Sequence, residues 1–173
     1  RSEGTDVHIE AGAITAVASS KIASAGLTGF EWAIGVPGRI GGAIFGNAGA
    51  MGGEMKDVVV SVEVLDPLSL ARKTLSNGEC EFGYRESRFK KTREIILGCT
   101  IKLSVGDTET SKGKMKEFLS YRNTTQPKGF ASCGCMFKNY EPAPEEIEAL
   151  RENGIPEVML EKRRISAGWL IDH

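Results

Sequence analysis

The chain has 173 residues, of which 40% are hydrophobic and 26% are charged, the composition of a globular protein with room for one large core or two small ones. Lys and Arg total 22 against 23 Asp and Glu, so the net charge of -1 gives no electrostatic reason to expect binding to nucleic acid or to an anionic membrane. No apolar run reaches the roughly 20 residues of a membrane helix, and the N-terminus lacks a signal-peptide pattern. We therefore expect a cytoplasmic protein.

The first predicted elements are a strand that begins at Val7 and a helix over about Thr15 to Ala25, separated by a turn at Gly12. The spacing of Val17 and Ile22 predicts that both lie on the buried face of this helix. A strand followed by a helix is thus the expected start of the fold.

Two later segments alternate apolar and polar residues with the period of a half-buried strand, and we expect them to pair. The apolar positions are Val58, Val60, Val62 and Val64 in the first segment, and Ile95, Leu97, Cys99, Ile101 and Leu103 in the second. Between them lie a turn signal at Asn77 and Gly78 and a loop in which aromatic and basic residues alternate.

A second long helix is predicted after these strands, with Met115, Phe118 and Leu119 facing inward, and Pro127 stops it. This break is the expected domain boundary, which gives domains 1–126 and 127–173. A short helix follows with Pro144 in its first turn and Gly154 after its last. The sequence after Ser166, a predicted N-cap, ends without a helix stop signal, and the opening is equally abrupt, so we expect a fragment of a longer protein.

Four cysteines are too few and too unevenly spaced for a disulfide scaffold, so free thiols are expected. Cys133 and Cys135 have the spacing to begin a zinc site, but no second close pair of ligands follows them. The histidines lie at His8 and His173, far from these cysteines in the sequence. We therefore predict no metal site.

The stretch from Gly35 to Gly53 contains eight glycines interleaved with apolar residues, which is unlike the polar composition of a flexible linker. A helix that begins near Pro37 would leave N–H groups of its first turn uncovered, as an anion or cofactor cradle does. The spacing fits neither a P-loop nor a dinucleotide-binding fingerprint. From the residues alone, a cofactor cradle and a glycine-rich helix packed against a sheet both remain open.

Four ordered motifs resemble the family of UDP-N-acetylenolpyruvoylglucosamine reductases. They are the segment 26–66, FGYRES at 82–87, SCGCMFKN at 132–139 and SAGWLID at 166–172. The resemblance implies an α+β fold: part of an FAD-binding domain of the vanillyl-alcohol-oxidase type, with a mixed sheet and flanking helices, followed by a partial α+β substrate-binding domain. It also implies a peptidoglycan-precursor enzyme that reduces UDP-N-acetylglucosamine enolpyruvate with NADPH through FAD.

The same resemblance implies roles for individual residues. The flavin would be contacted by Gly35, Val36, Pro37, Gly38, Gly41, Gly42 and Asn47. Arg85 corresponds to the catalytic arginine beside the substrate carboxylate, and Cys135 takes the position of the family's serine proton donor, where a thiol with a pKa of about 8.5 can serve as the acid. Tyr84, Lys138 and Asn139 would contact the UDP-sugar, the expected partner; no oligomeric state is predicted.

The chain departs from the family pattern in three places. Nothing before Asp6 resembles the family's first subdomain, whose glycine-rich turn holds the FAD pyrophosphate, and the sequence stops before the position of the family's glutamate that assists at the substrate. The segment 140–165 is interpreted as an insertion. Two alternatives therefore accompany the reductase: another FAD-dependent oxidoreductase of the same fold, and a non-catalytic, flavin-free binding module.

Overall fold

The structure of the chain is a computed structural model that describes residues 2–125 and 136–173. These residues form two compact units, unit 1 before the intervening segment and unit 2 after it. The predicted domain boundary after residue 126 falls within that segment and stays a prediction. In the two described ranges, no helix is both long enough and apolar enough to cross a membrane.

Unit 1 contains nine strands and four α-helices among its described residues. The strands are β1 (Ser2–Glu3), β2 (Asp6–Glu10), β3 (Leu27–Thr28), β4 (Gly49–Ala50), β5 (Gly53–Glu54), β6 (Val59–Leu65), β7 (Arg72–Ser76), β8 (Ile95–Lys102) and β9 (Ser104–Val105). The helices are α1 (Thr15–Ser24), α2 (Ile40–Phe45), α3 (Met55–Val58) and α4 (Thr108–Thr125), and short 3-10 turns cover Glu31–Gly35, Gly78–Cys80 and Arg88–Lys90.

Five strands form one sheet in the order β1-β2-β8-β6-β7, and two further pairs, β3 with β9 and β4 with β5, stand apart from it. The combination of helices with this sheet confirms the predicted α+β class. Every strand pair in the described residues is antiparallel, so the expectation of a mixed sheet is corrected for this part of the chain. The predicted pairing of the two alternating segments is confirmed as β6 with β8.

The register between β6 and β8 shifts twice, and each shift changes which side chains enter the core. One shift lies between Val59 and Ser61, and it leaves Val60 41% exposed, although Val62 and Val64 are fully buried as predicted. The other shift pairs Val64 with Ile96, and Ile95 is 50% exposed. A bulge moves the following side chains to the opposite face of a strand, which strict alternation in the sequence does not reveal.

The buried faces of both long helices include polar residues, and this accounts for two wrong predictions. Val17 of α1 is 47% exposed, whereas Ser19 is buried and its hydroxyl donates to the Phe30 carbonyl at 2.8 Å. Leu119 of α4 is 41% exposed, whereas Met115 is buried as predicted. A small hydroxyl residue whose hydrogen bond is satisfied allows closer packing than a larger apolar side chain at the same position.

Glu31 is a buried carboxylate that connects α4 to the rest of unit 1. It accepts hydrogen bonds from the Ser111 hydroxyl of α4 at 2.5 Å, from the Thr28 hydroxyl at 2.6 Å and from the Gly29 N–H at 2.8 Å. Burial raises the pKa of the Glu31 carboxyl, but the hydrogen bonds from Ser111, Thr28 and the backbone outweigh burial and lower this pKa to about 2. The ionised carboxylate is therefore part of the native packing.

Unit 2 has a small core of Ile155, Leu160 and Ile165 under three short helices, α5 (Ile147–Glu152), α6 (Glu157–Glu161) and α7 (Ala167–Asp172). A 3-10 turn over Pro144–Glu146 precedes α5, as the proline predicts. Gly154 follows α5 with φ +81°, and the Ser166 hydroxyl caps α7 by accepting from the Trp169 N–H at 3.3 Å. The segment interpreted as an insertion thus supplies α5, α6 and most of the core of this unit.

We expect Glu31→Gln to lower the free energy of unfolding at pH 7 by roughly 1–3 kcal/mol, because the neutral amide weakens hydrogen bonds made to a buried charge. The pKa of Glu31 is lowered from 4.5 to about 2, so its contribution is complete above pH 4.5 and is lost as the pH falls toward 2. Urea unfolding of both proteins at pH 7 and pH 3.5 measures this. The exposed Glu81→Gln is the control, and an equal effect of Glu31→Gln at both pH values would contradict the prediction.

Candidate functional site

Two of the predicted cofactor residues, Gly38 and Gly42, present an open backbone surface. Gly38 follows the exposed Pro37 and has φ +96°, a conformation that favours glycine. Gly42 lies on the exposed face of α2. A Cβ built at either glycine meets no atom within 4 Å, so each leaves room for a flat group to lie directly against the main chain.

Gly35 and Gly41 are small for a different reason, which is packing inside unit 1. The space beside Gly35 is filled by the Arg122 side chain of α4. A Cβ at Gly41 would lie 3.0 Å from the Ala11 Cβ, so glycine lets α2 approach the loop after β2. The segment therefore combines the two interpretations of the sequence, with part of it packed and part of it open.

The first turn of α2 differs from the expected anion cradle. The Ile40 N–H donates to the Ala13 carbonyl at 3.0 Å, and the Gly41 N–H donates to the Ala11 carbonyl at 2.9 Å. The prediction that these N–H groups are uncovered is wrong, because the close approach of α2 to the loop 11–13 supplies their acceptors. A ligand at this segment would meet the Gly38 and Gly42 surface, rather than the N-terminal N–H groups of α2.

A cavity of about 470 Å³ lies beside the glycine-rich segment, between β2 and α1. Its walls are mostly apolar, with Ile9 from β2 and Val17 from α1, and Lys21 and Arg39 add positive charge. The Arg39 guanidinium donates to the Gly12 carbonyl, and both residues line the cavity. This hydrogen bond fixes the glycine-rich segment near Arg39 against the rim of the cavity. This arrangement offers an apolar surface with cations next to it.

Asn47 follows α2 and is fully buried, with φ 39°. Its amide nitrogen donates to the Glu54 carboxylate and to the Gly83 carbonyl, both at 2.8 Å, and its amide oxygen accepts from the Lys56 N–H at 2.9 Å. Both amide protons of this predicted cofactor residue are therefore used inside the protein.

Arg85 lies at the tip of a tight turn, with φ 54°, in which Gly83 and Glu86 exchange two backbone hydrogen bonds. The Arg85 guanidinium donates from Nη2 to the Gly49 carbonyl at 2.7 Å and from Nη1 to the Asn47 carbonyl at 3.3 Å. Among residues 2–125 and 136–173, no carboxylate forms an ion pair with it. The half-buried cation is thus held by neutral carbonyls, which leaves its charge available to an anionic ligand.

The turn that carries Arg85 is fixed against the end of α2. The Ser87 hydroxyl is buried and donates to the Phe45 carbonyl at 2.7 Å, and the Lys90 ammonium donates to the Arg85 carbonyl at 2.6 Å. The predicted substrate residue Tyr84 places its ring centroid 5.2 Å from the Arg85 guanidinium carbon. The structure therefore brings Tyr84 and Arg85 together beside the glycine-rich segment.

The hairpin of β4 and β5 was not singled out from the sequence, yet it supports the Arg85 guanidinium. A Cβ at Gly49 would lie 2.8 Å from the Gly53 carbonyl oxygen and 3.3 Å from Arg85 Nη1. The indole of Trp32 fills the space beside Gly53. The signal in the sequence was the spacing of Gly49 and Gly53. This spacing can be interpreted only once the hairpin is known, because the two residues approach each other only in the folded chain.

The remaining predicted residues belong to the C-terminal part of the chain. Lys138 is exposed, and the Asn139 side-chain oxygen accepts from the Ala167 N–H at 3.2 Å, so Asn139 binds the first turn of α7. Cys135, the predicted proton donor, lies outside the described residues. Its role, and those of Lys138 and Asn139 at a substrate, stay predictions.

Comparison with known proteins identifies similar chains. The family described as the FAD binding domain matches residues 1–72. UDP-N-acetylenolpyruvoylglucosamine reductase of Lactiplantibacillus plantarum is 45% identical over 136 residues, which cover 78% of this chain and 44% of that protein. The reductase of the same name from Shouchella clausii is 37% identical over 172 residues, 98% of this chain and 55% of that protein.

A solved structure agrees with these relatives. The crystal structure of UDP-N-acetylenolpyruvylglucosamine reductase (MurB) from Thermus caldophilus matches with a TM-score of 0.70 and 31% identity, over 89% of this chain and 56% of that one. The chain spans about half the length of the curated relatives it matches.

Two alanine substitutions distinguish the packed glycines from the open ones. We expect Gly49→Ala to destabilise unit 1 by about 1–3 kcal/mol, because its Cβ collides with the Gly53 carbonyl. Gly42→Ala should keep or raise stability by up to about 1 kcal/mol, because it has open space and alanine favours a helix. Urea unfolding of both variants measures the difference, and equal stabilities would show that the hairpin is not packed as described.

Proposed function

We propose a function from the premise that this chain belongs, over the part it spans, to the UDP-N-acetylenolpyruvoylglucosamine reductase family. The protein is proposed to reduce the enolpyruvyl group of UDP-N-acetylglucosamine enolpyruvate with NADPH, which gives UDP-N-acetylmuramate for peptidoglycan synthesis. The observation that carries the proposal is the Arg85 guanidinium, a half-buried cation without a carboxylate partner among the described residues, which is tied to the end of α2 through its own loop. A cytoplasmic location stays a prediction.

The described residues fit FAD at the glycine-rich segment. The match to the FAD binding domain covers residues 1–72, which include this segment. Gly38 and Gly42 provide a surface without Cβ atoms, on which a flat ring system can lie, and Val36 and Pro37 border it. When bound there, FAD would supply the hydride chemistry, taking a hydride from NADPH and giving it to the substrate.

Arg85 is proposed to stabilise the negative charge that develops during reduction. Addition of hydride to one carbon of the enolpyruvyl double bond moves the electron pair of that bond toward the other carbon and the neighbouring carboxylate. A guanidinium held by two carbonyls is preorganised for this charge, because it needs no reorientation as the charge forms. Tyr84, whose ring lies against the guanidinium, would border the same substrate group.

A proton must then reach the second carbon to complete the reduction. We assign this proton to the Cys135 thiol, which takes the position of a serine in the resembling motif and is the stronger acid of the two groups. Lys138 and Asn139 are proposed to bind the diphosphate and sugar of the substrate, through a positive charge and a hydrogen-bond donor.

A titration with FAD tests the proposed cofactor site. We expect saturable quenching of flavin fluorescence by the purified chain, and roughly tenfold weaker binding by Gly42→Ala, because its methyl group lifts the ring from the backbone. Gly113→Ala, on an exposed and open face of α4, is the matched control and should bind FAD like the parent chain. If this chain and the native gene product are both colourless once unbound FAD has been removed, a flavin-free binding module is favoured and the proposal is overturned.

Substitution of Arg85 tests the proposed catalytic role. In the native gene product, Arg85→Ala should lower turnover of the enolpyruvyl nucleotide by about 100- to 1000-fold with little change in flavin content, because the charge is needed in the transition state. NADPH oxidation and the bound flavin spectrum measure the two quantities. Arg93→Ala, an exposed arginine of the same region, should leave both unchanged. Unchanged turnover of Arg85→Ala would refute its assignment.

A further inference from the structure

Asn47 contacts three separate segments of unit 1 with one carboxamide. It follows α2, its Nδ2 donates to the Glu54 carboxylate at the end of the β4–β5 hairpin, and its Oδ1 accepts from the Lys56 N–H at the start of α3. Its second Nδ2 proton goes to the Gly83 carbonyl, 36 residues along the chain. A single buried side chain thus joins α2, the hairpin and the turn that carries Arg85.

The Gly83 carbonyl is the point at which this turn is closed. It accepts from the Glu86 N–H at 3.1 Å and from Asn47 Nδ2 at 2.8 Å. Because Tyr84 and Arg85 are the two residues inside the turn, the hydrogen bond from Asn47 fixes the base from which the arginine side chain extends.

The Arg85 side chain returns to the same residue. Its Nη1 donates to the Asn47 carbonyl at 3.3 Å, and its Nη2 donates to the Gly49 carbonyl, two residues further along, at 2.7 Å. Asn47 therefore contacts the Arg85 turn at two places. Its carboxamide binds the Gly83 carbonyl at the base of the turn, and its backbone carbonyl binds the Arg85 guanidinium. The contacts form a closed ring.

The requirements at position 47 are met by few residue types. The backbone has φ 39°, in the left-handed region, which asparagine tolerates better than most residues. The side chain must supply two donors, one of them toward a carboxylate, and one acceptor. Aspartate would supply no donor and would place a second negative charge beside Glu54.

We propose that Asn47 is a positioning residue. It holds the Arg85 guanidinium toward the proposed substrate and does not itself contact the flavin. The effect of Asn47 on turnover rests on the proposed function. The hydrogen bonds by which Asn47 restrains Arg85 belong to the folded chain, so the restraint can be tested without measuring turnover.

The test compares Asn47→Gly, which removes the carboxamide and suits the positive φ, with Asn77→Ala as a matched control. Asn77 also donates two hydrogen bonds to carbonyls, those of Lys56 and Val59, whereas the Arg85 guanidinium donates to the carbonyls of Asn47 and Gly49. NMR spectra of the ¹³C,¹⁵N-labelled chain report rotation of the Arg85 guanidinium. Its resonances are assigned by their loss in Arg85→Lys. We expect separate Nη1 and Nη2 signals in the parent chain and in the control Asn77→Ala, and a single averaged signal in Asn47→Gly.

Separate signals in Asn47→Gly, or averaging in both variants, would overturn the proposal. If Asn47→Gly fails to fold, Arg85→Ala tests the same coupling from the other side, because coupling between two residues is reciprocal. Hydrogen exchange of the Lys56 N–H, which donates to Asn47, should then become at least fivefold faster. Unchanged exchange would overturn the proposal.

FAD titration separates this inference from the proposed function. Asn47→Gly should bind FAD within twofold of the parent chain and, in the native gene product, lower kcat about tenfold or more. Weaker FAD binding with unchanged Arg85 signals would make Asn47 a cofactor contact and overturn the positioning role. Absence of FAD binding by the native gene product would refute the proposed function, while the resonances of Arg85 would still decide the role of Asn47.

Discussion

Close approach of backbone to backbone, where a Cβ is absent, is the constraint on which the site depends. Gly41 lets α2 come near enough to the loop 11–13 for main-chain hydrogen bonds, and Gly49 lets the β4–β5 hairpin close below Arg85. These contacts set the position of Asn47, which lies between them in the chain. A wider hairpin would move the Gly49 carbonyl, which accepts from Arg85 Nη2 at 2.7 Å, away from the guanidinium.

Two buried polar residues, one on each side of the open glycines Gly38 and Gly42 in the chain, stabilise this arrangement. Glu31 precedes the segment and accepts from the hydroxyls of Thr28 and of Ser111 in α4, while Asn47 lies within the segment after α2 and binds the hairpin and the Arg85 turn. Both have their hydrogen bonds satisfied, so their burial specifies one packing instead of opposing it. The open glycines between them are therefore presented by a rigid support.

The same support connects the proposed cofactor site to the proposed substrate site. The Gly38 and Gly42 surface belongs to the proposed flavin site, and Arg85, whose loop is bonded to the end of α2 through Ser87 and Phe45, belongs to the proposed substrate site. A hydride donor and the cation that stabilises the resulting charge must lie on neighbouring structures. In unit 1, α2 and Asn47 connect the Gly38 and Gly42 surface to the turn that carries Arg85.

The sequence by itself determined the α+β class, the pairing of the two alternating strands, the caps at Gly154 and Ser166 and, through ordered motifs, the similarity to the reductases. Each of these depends on local periodicity, turn chemistry or similarity of consecutive residues. The tertiary structure decided which glycines are packed and which are open, the bulges that expose Val60 and Ile95, and the internal bonds of Asn47. Those properties depend on atoms that lie far apart in the chain, such as Asn47 and Gly83, and no local pattern encodes their distance.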